Sequence, residues 1–293
     1  MNSSKTTPRR RSTADAAVDS RSAAPELLRQ KISGLEVLSR KPRGAQRKTP
    51  LLFVHGAFAG AWIWDERFLP WFAEAGYSVH ALSLRGHGNS HSPGIIDWYS
   101  MQDYVDDLAR VALSFEDPPV LIGHSMGGFV VQKFLEEHEA PAAILMCSVP
   151  PQGLGLAQFS MLLARPSLLT EINHTLRGSD VSLEALREAM FAQEISLSDL
   201  QRYSHLLQRE SQRAIWDMTL FSLPKTVFME RPPFLILGAE HDALIPAFVV
   251  QTTARTYGEQ CTIFPDMGHG LMLERDWEKC AQFIAVWLNA LGV

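Results

Sequence analysis

Four short apolar runs constrain this chain more than anything else in it: "TPLLFVHG", "SVHALSL", "PVLIGHS" and "AAILMCSV". Each has the length of a strand and shows no alternation of polar and apolar residues. A strand that is apolar at every position must be buried on both faces, which excludes a sheet with one face in water. The segments between them, "DERFLPWFAEAGY", "SMQDYVDDLARVALSF" and "MGGFVVQKFLEEH", carry apolar residues at helical spacing. In the second, Ser100 is placed to cap the helix, with Asp103 three positions on. Strand and helix in alternation predict an α/β protein, a mainly parallel sheet flanked by helices. Before the first run, "LEVLSRKP" reads as a strand entering a polar hairpin at "RGAQRKT".

The alternation stops at "PPQG". From residue 150 to 221 the chain reads as successive helices without a strand, and strands resume at "PPFLILGAEHD" and "CTIFPDMGHG" before a closing helix. An all-helical block between two halves of a sheet predicts an inserted helical cap, or lid. The expected organisation is therefore a core over 31–149 and 222–293, with the cap at 150–221.

Residues 1–30 are rich in Ser, Thr, Ala and Arg and lack an apolar run, the composition of a disordered arm. Up to Lys48 there are twelve Lys and Arg against four Asp and Glu, whereas the whole chain has a net charge of −5. A basic arm on an acidic body is expected to be a solvated tail, and no nucleic-acid partner is expected. Neither a secretory apolar core nor an 18-residue apolar stretch occurs, so no membrane span and a cytoplasmic location are expected. The scattered Cys147, Cys261 and Cys280 have no metal-like spacing and suit free thiols. The sequence leaves the oligomeric state open.

One of the apolar runs ends in "GHSMGG", a G-x-S-x-G pattern between a strand and a helix. In that setting Ser125 is expected on a sharp turn, with Gly123 and Gly127 leaving room for it. The helix behind it presents free N–H groups and the positive end of its dipole, so the Met126 N–H suits one half of an oxyanion hole. A serine hydroxyl is a weak nucleophile and needs a base held by a third group. In the order Ser, acid, His, the chain offers Asp242 after "FLILGAEH" and His269 in "DMGHG", both just past strand ends. Ser125, Asp242 and His269 are the expected triad. The second oxyanion donor is expected from "HGAF", at Ala57 with Phe58 as the fallback. Phe58, Trp62, Phe129 and Met272 are candidates for the substrate pocket, together with Met161.

The set "HGAFAGAWIW", "RGHGNS", "GHSMGG", "GAEHDALIP" and "DMGHGLMLE" resembles the α/β-hydrolase superfamily, from about Leu51 to Leu291. The first motif is most similar to the small esterase and hydroxynitrile-lyase group, and the last to lysophospholipase and carboxylesterase relatives. Serine rather than aspartate at position 125 argues against epoxide hydrolase and dehalogenase chemistry. No Thr adjoins the loop His55-Gly56-Ala57, and Lys225 alone stands near the end of the cap, which argues against a hydroxynitrile lyase.

The expected reaction is hydrolysis of a carboxylic ester with a hydrophobic acyl or alcohol group through an acyl-enzyme, with no metal or organic cofactor. The same triad would also suit an acyltransferase, a thioesterase or a C–C hydrolase, and the pocket would suit a non-enzymatic ligand sensor. Three neighbours of the triad are set aside. His124 is expected to point away from the site, and His241 and Asp266 fall outside the motif positions. Arg85 and His87 are expected to tie loops together, and Cys147 to be a small buried hydrophobe.

Overall fold

The computed structural model describes residues 25–229 and 231–293; the expected disordered arm lies, over residues 1–24, outside the described residues. Eight strands form one sheet in the order β1-β2-β4-β3-β5-β6-β7-β8. They are β1 (Leu27–Ile32), β2 (Leu35–Arg40), β3 (Leu51–Val54), β4 (Val79–Leu82), β5 (Val120–His124), β6 (Ala143–Met146), β7 (Phe234–Ala239) and β8 (Cys261–Phe264). β1 pairs antiparallel with β2, and β2 antiparallel with β4. All remaining pairs are parallel.

The central strands are apolar at every position because successive residues enter two different cores. Leu51, Phe53, Val120 and Ile122 belong to one buried cluster. Leu52, Val54, Leu121 and Leu145 belong to the other. Helices cover both faces: α1 (Trp62–Asp65), α2 (Phe68–Glu74), α3 (Met101–Ala112) and α4 (Met126–Phe134) precede the insertion. After it come α10 (Ala247–Tyr257) and α11 (Trp277–Leu291). At the start of α3 the Ser100 hydroxyl accepts the Asp103 N–H, and the Asp103 carboxylate accepts the Ser100 N–H, the reciprocal capping the sequence predicts.

Two expectations at the N-terminal edge need correction. Order begins before residue 31, because β1 starts at Leu27, inside the segment assigned to the arm. The hairpin lies before "LEVLSR" rather than after it, turning at Ser33 and Gly34, both with positive φ. β1 escapes a reading based on apolar runs because it is an edge strand whose four central residues are exposed.

Between β6 and β7 the chain forms α5 (Gly155–Ala164), α6 (Pro166–Leu176), α7 (Leu183–Met190), α8 (Leu197–Leu206) and α9 (Gln212–Trp216). A π-helical turn, Asp217–Phe221, follows α9. Among the described residues no helix is long and apolar enough to cross a membrane, and the three cysteines are free. The strand order reverses around β3, which has β4 on one side and β5 on the other. The loops after β3 and β5 therefore leave the carboxyl edge of the sheet side by side, at the position where open α/β sheets place ligands.

Candidate active site

Ser125 stands between β5 and α4 with φ 53° and ψ −117°, a conformation that costs a non-glycine residue about 1–3 kcal/mol. The turn is possible only because its neighbours lack side chains. A Cβ on Gly123 would lie 2.5 Å from the Gly127 carbonyl oxygen, and one on Gly127 would lie 2.3 Å from that of Val54. Backbone bonds fix the turn: the Ser125 N–H donates to Met146 at 3.0 Å, and the Ser125 carbonyl accepts Gly128 N–H at 3.1 Å and Val149 N–H at 3.2 Å.

His269 follows β8, and Asp242 follows β7. The His269 Nδ1 lies 2.8 Å from Asp242 Oδ2, and Asp242 Oδ1 accepts the N–H groups of Leu244 and Ile245, each at 2.8 Å. Since the carboxylate only accepts, Nδ1 carries the proton and Nε2 is left unprotonated, free to accept one. Both His269 and Asp242 are buried, and His269 and Ser125 line the same cavity.

His124 does not point away, as expected from the sequence, but toward His269. Its Nε2–H donates to the His269 carbonyl at 3.0 Å, and the two rings are 4.6 Å apart. Burial, followed by the neighbouring His269, pushes its pKa well below the usual value, so it remains a neutral donor. Glu274, a buried carboxylate the sequence reading missed, accepts Gly268 N–H and, from the helical insertion, Ala192 N–H, both at 2.7 Å.

The loop after β3, where an oxyanion donor is expected, is held by His55. Its Nδ1–H donates to the Gly56 carbonyl at 2.8 Å, and its Nε2 accepts Leu84 N–H at 3.1 Å, a pairing that requires one neutral tautomer. Burial, helped by His87, lowers the His55 pKa to about 3 and keeps it in that form. In a trans peptide the N–H points opposite to the carbonyl, so fixing the Gly56 oxygen also aims the Ala57 N–H. A Cβ on Gly56 would lie 3.0 Å from the Ser125 Cβ, so this backbone lies directly against Ser125. The Ala57 and Met126 N–H groups have no acceptor among the described residues. Phe58 is unsuited to the fallback role, because its N–H is directed to Glu210 Oε2 at 3.3 Å.

The cavity has a volume of about 690 Å³ and is walled by the loop after β3 and by the insertion. Phe58, Trp62 and Met161 line it. Trp62 stacks on Tyr203 of α8 with ring centroids 5.7 Å apart. Phe129 and Met272 do not line it, and the expectation for both is corrected. Phe129, one turn beyond Ser125 on α4, is fully buried in the core cluster with Tyr104 and Leu108, and Met272 in the cluster with Cys280 and Ile284.

Arg85 ties loops as expected, with Nε 2.9 Å and Nη2 2.6 Å from the Asp107 carboxylate and Nη1 2.6 Å from Asp103. His241 and Asp266 are exposed, clustered with Glu240, and outside the cavity lining. Cys147, at φ 45°, has its sulfur within 4.8 Å of the Asp242 and His269 ligand atoms. This trio is a poor cation site. Burial, then the Asp242 charge, keeps the thiol protonated, and Asp242 is already committed to three donors.

A family model described as "Alpha/beta hydrolase family" matches residues 51–283. The chain is 36% identical over 86 residues to Protein ABHD8 of Mus musculus, covering 29% of this chain and 19% of that protein. It is 34% identical over 85 residues to Methylesterase 3 of Arabidopsis thaliana, covering 28% of this chain and 32% of that one. The matched stretches thus span less than half of these relatives. In fold it is similar to an esterase from Exiguobacterium antarcticum, with a TM-score of 0.65 at 20% identity over 89% of this chain and 98% of that one. With the family match running from β3 into α11, the chain belongs to the alpha/beta hydrolase family.

Proposed function

We propose that the protein is a serine hydrolase that cleaves carboxylic esters carrying a hydrophobic group, through an acyl-enzyme. The observation that carries this reading is the 2.8 Å contact between His269 Nδ1 and Asp242, with the ring and Ser125 opening on one cavity. His269 Nε2 takes the Ser125 proton as the oxygen attacks the ester carbonyl, and Ala57 and Met126 N–H groups stabilise the oxyanion. Losing one such donor costs about 2.7–4 kcal/mol of transition-state stabilisation. The imidazolium, stabilised by Asp242, protonates the departing alcohol, and water then repeats the sequence on the acyl-enzyme. Leu186, Met161 and Met218 in the cavity wall support an apolar acyl or alcohol group. The helical insertion acts as a cap, since it supplies much of that wall and keeps bulk water from the acyl-enzyme. The name of the relative Methylesterase 3 is consistent with ester chemistry.

The test is steady-state hydrolysis of p-nitrophenyl esters from acetate to dodecanoate, with Ser125→Ala alongside. The expected result is turnover on medium chains that is abolished in the variant. Wild-type rates in Ser125→Ala would overturn the assignment, and faster transfer to added alcohol than to water would make the protein an acyltransferase.

A further inference from the structure

The mechanism leaves unused a buried carboxylate that reaches the oxyanion loop from the helical insertion. Glu210 lies in the segment joining α8 to α9 and is fully buried. Its Oε1 accepts the Tyr104 hydroxyl at 2.6 Å and the Ser211 N–H at 2.7 Å. Its Oε2 accepts the Phe58 N–H at 3.3 Å and lies 3.2 Å from His87 Nε2, at ion-pair distance but off the hydrogen-bonding direction. Burial alone would raise the Glu210 carboxyl, but the His87 charge and the surrounding donors outweigh it and hold the carboxyl below its usual range. For His87, burial works downward and Glu210 overcomes it, so the imidazole titrates above its usual value.

Phe58 is the residue that needs such support. It is bulky, takes φ 64°, and directly follows Ala57, the proposed oxyanion donor. Both of its backbone polar groups are taken by one stretch of the insertion: the Phe58 N–H by Glu210, and the Phe58 carbonyl by the Gln208 N–H at 2.8 Å. The Gln208 side chain also accepts the Gly88 N–H, fastening the same stretch to the "RGHG" turn. His87 of that turn lies with its ring 5.1 Å from His55, the residue that fixes the Gly56 carbonyl.

We propose that Glu210 is a positioning residue for the oxyanion hole. With Gln208 it clamps Phe58 in its left-handed conformation, so the insertion and the oxyanion loop form one unit. The proposal rests on Ser125 being the nucleophile with Ala57 as an oxyanion donor. Each carboxylate oxygen of Glu210 accepts a backbone N–H, which can only donate, so the isosteric Glu210→Gln must turn its NH₂ toward one of them and cannot satisfy both Phe58 and Ser211.

The experiment is inactivation of the full chain by a fluorophosphonate, whose attack by Ser125 builds negative charge on the phosphoryl oxygen. Glu210→Gln is expected to lower kinact about 10–100-fold, below the loss from deleting a whole donor, with KI within about twofold. Tyr104→Phe, which removes a donor to Glu210 without touching Phe58, is expected to lower the melting temperature while kinact stays within about threefold. Glu210→Gln with kinact within threefold of wild type would overturn the proposal. So would loss of kinact in both variants in proportion to lost stability. If Glu210→Gln gives no folded chain, Glu210→Asp decides by the same thresholds, since it keeps the charge beside His87 and withdraws from Phe58. A wild-type chain that never reacts at Ser125 would instead defeat the nucleophile assignment, a result distinguishable from equal reaction of wild type and Glu210→Gln.

Discussion

The elbow at Ser125 and the segment from Leu207 to Ser211 both meet the loop after β3, the proposed oxyanion loop, and they hold it by different physics. At the elbow the means is close contact: Gly127 has no Cβ, so α4 rests against the Val54 and His55 carbonyls. In the segment the means is hydrogen bonding and charge between residues far apart in sequence: Gln208 and Glu210 on Phe58, and Glu210 on Tyr104 and His87. A site held by contact tolerates almost no added volume but is indifferent to protonation. A site held by buried polar groups keeps its shape under small volume changes and fails when a proton or a partner is misplaced.

The largest expected effect is on the base that serves the elbow. In Asp242→Asn the side-chain oxygen can still accept the Leu244 and Ile245 N–H groups, but its NH₂ meets His269 and forces the proton onto Nε2. Turnover of a p-nitrophenyl ester should fall by about 10³–10⁴-fold with little change in melting temperature. A fall in stability equal to the loss of rate would mean that Asp242 is structural.

Gly127→Ala tests the contact side of the comparison. The nearest atom to the new methyl is a backbone oxygen at 2.3 Å, which cannot rotate away, so the expected destabilisation is about 3 kcal/mol or more by urea unfolding. A variant as stable as wild type would show that the elbow is not limited by contact.

The polar side predicts a dependence on pH. His55, His80 and His124 are held neutral, with pKa values lowered to about 3, to about 4 and well below the usual range, in each case first by burial. Their contribution to stability is complete above about pH 6.5, the unfolded value, and is lost as pH falls toward the folded values. At pH 5 each can account for at most about 2 kcal/mol. His87, raised, behaves oppositely: its contribution is complete below about pH 6.5 and is lost as pH rises through its folded value. Glu210, lowered, contributes above about pH 4.5 and loses that contribution in acid. Urea midpoints measured from pH 5 to 9 should therefore peak near neutrality, and a flat profile would remove the buried pairs from the account. The smallest effect expected is for Gly258→Ala, where φ is 74° but nothing lies within 4 Å, so only about 1 kcal/mol of backbone strain is added. Together with Gly127→Ala it separates contact from conformation.

The same contrast explains what the sequence disclosed. The elbow, the strand ends carrying Asp242 and His269, and the parallel sheet are set by local patterns: glycines two residues either side of Ser125, and runs of four to five apolar residues. Phe129 and Met272 lie in the core although the sequence points to the pocket, because an apolar residue near a site looks the same whether it faces the cavity or the core; only packing distinguishes them. β1 carries exposed residues on an edge, where no apolar pattern is required. Glu210, Glu274 and the inward turn of His124 depend on contacts spanning 152, 82 and 145 positions, for which a single sequence has no local signature.

Ser125 acylation is decided by rapid-quench mass spectrometry of the intact chain during turnover of p-nitrophenyl acetate, followed by peptide mapping. The expected result is a transient single acetyl group on the peptide carrying Ser125, absent in Ser125→Ala and long-lived when deacylation is slowed. Turnover without any adduct, or an adduct on another residue, would contradict it.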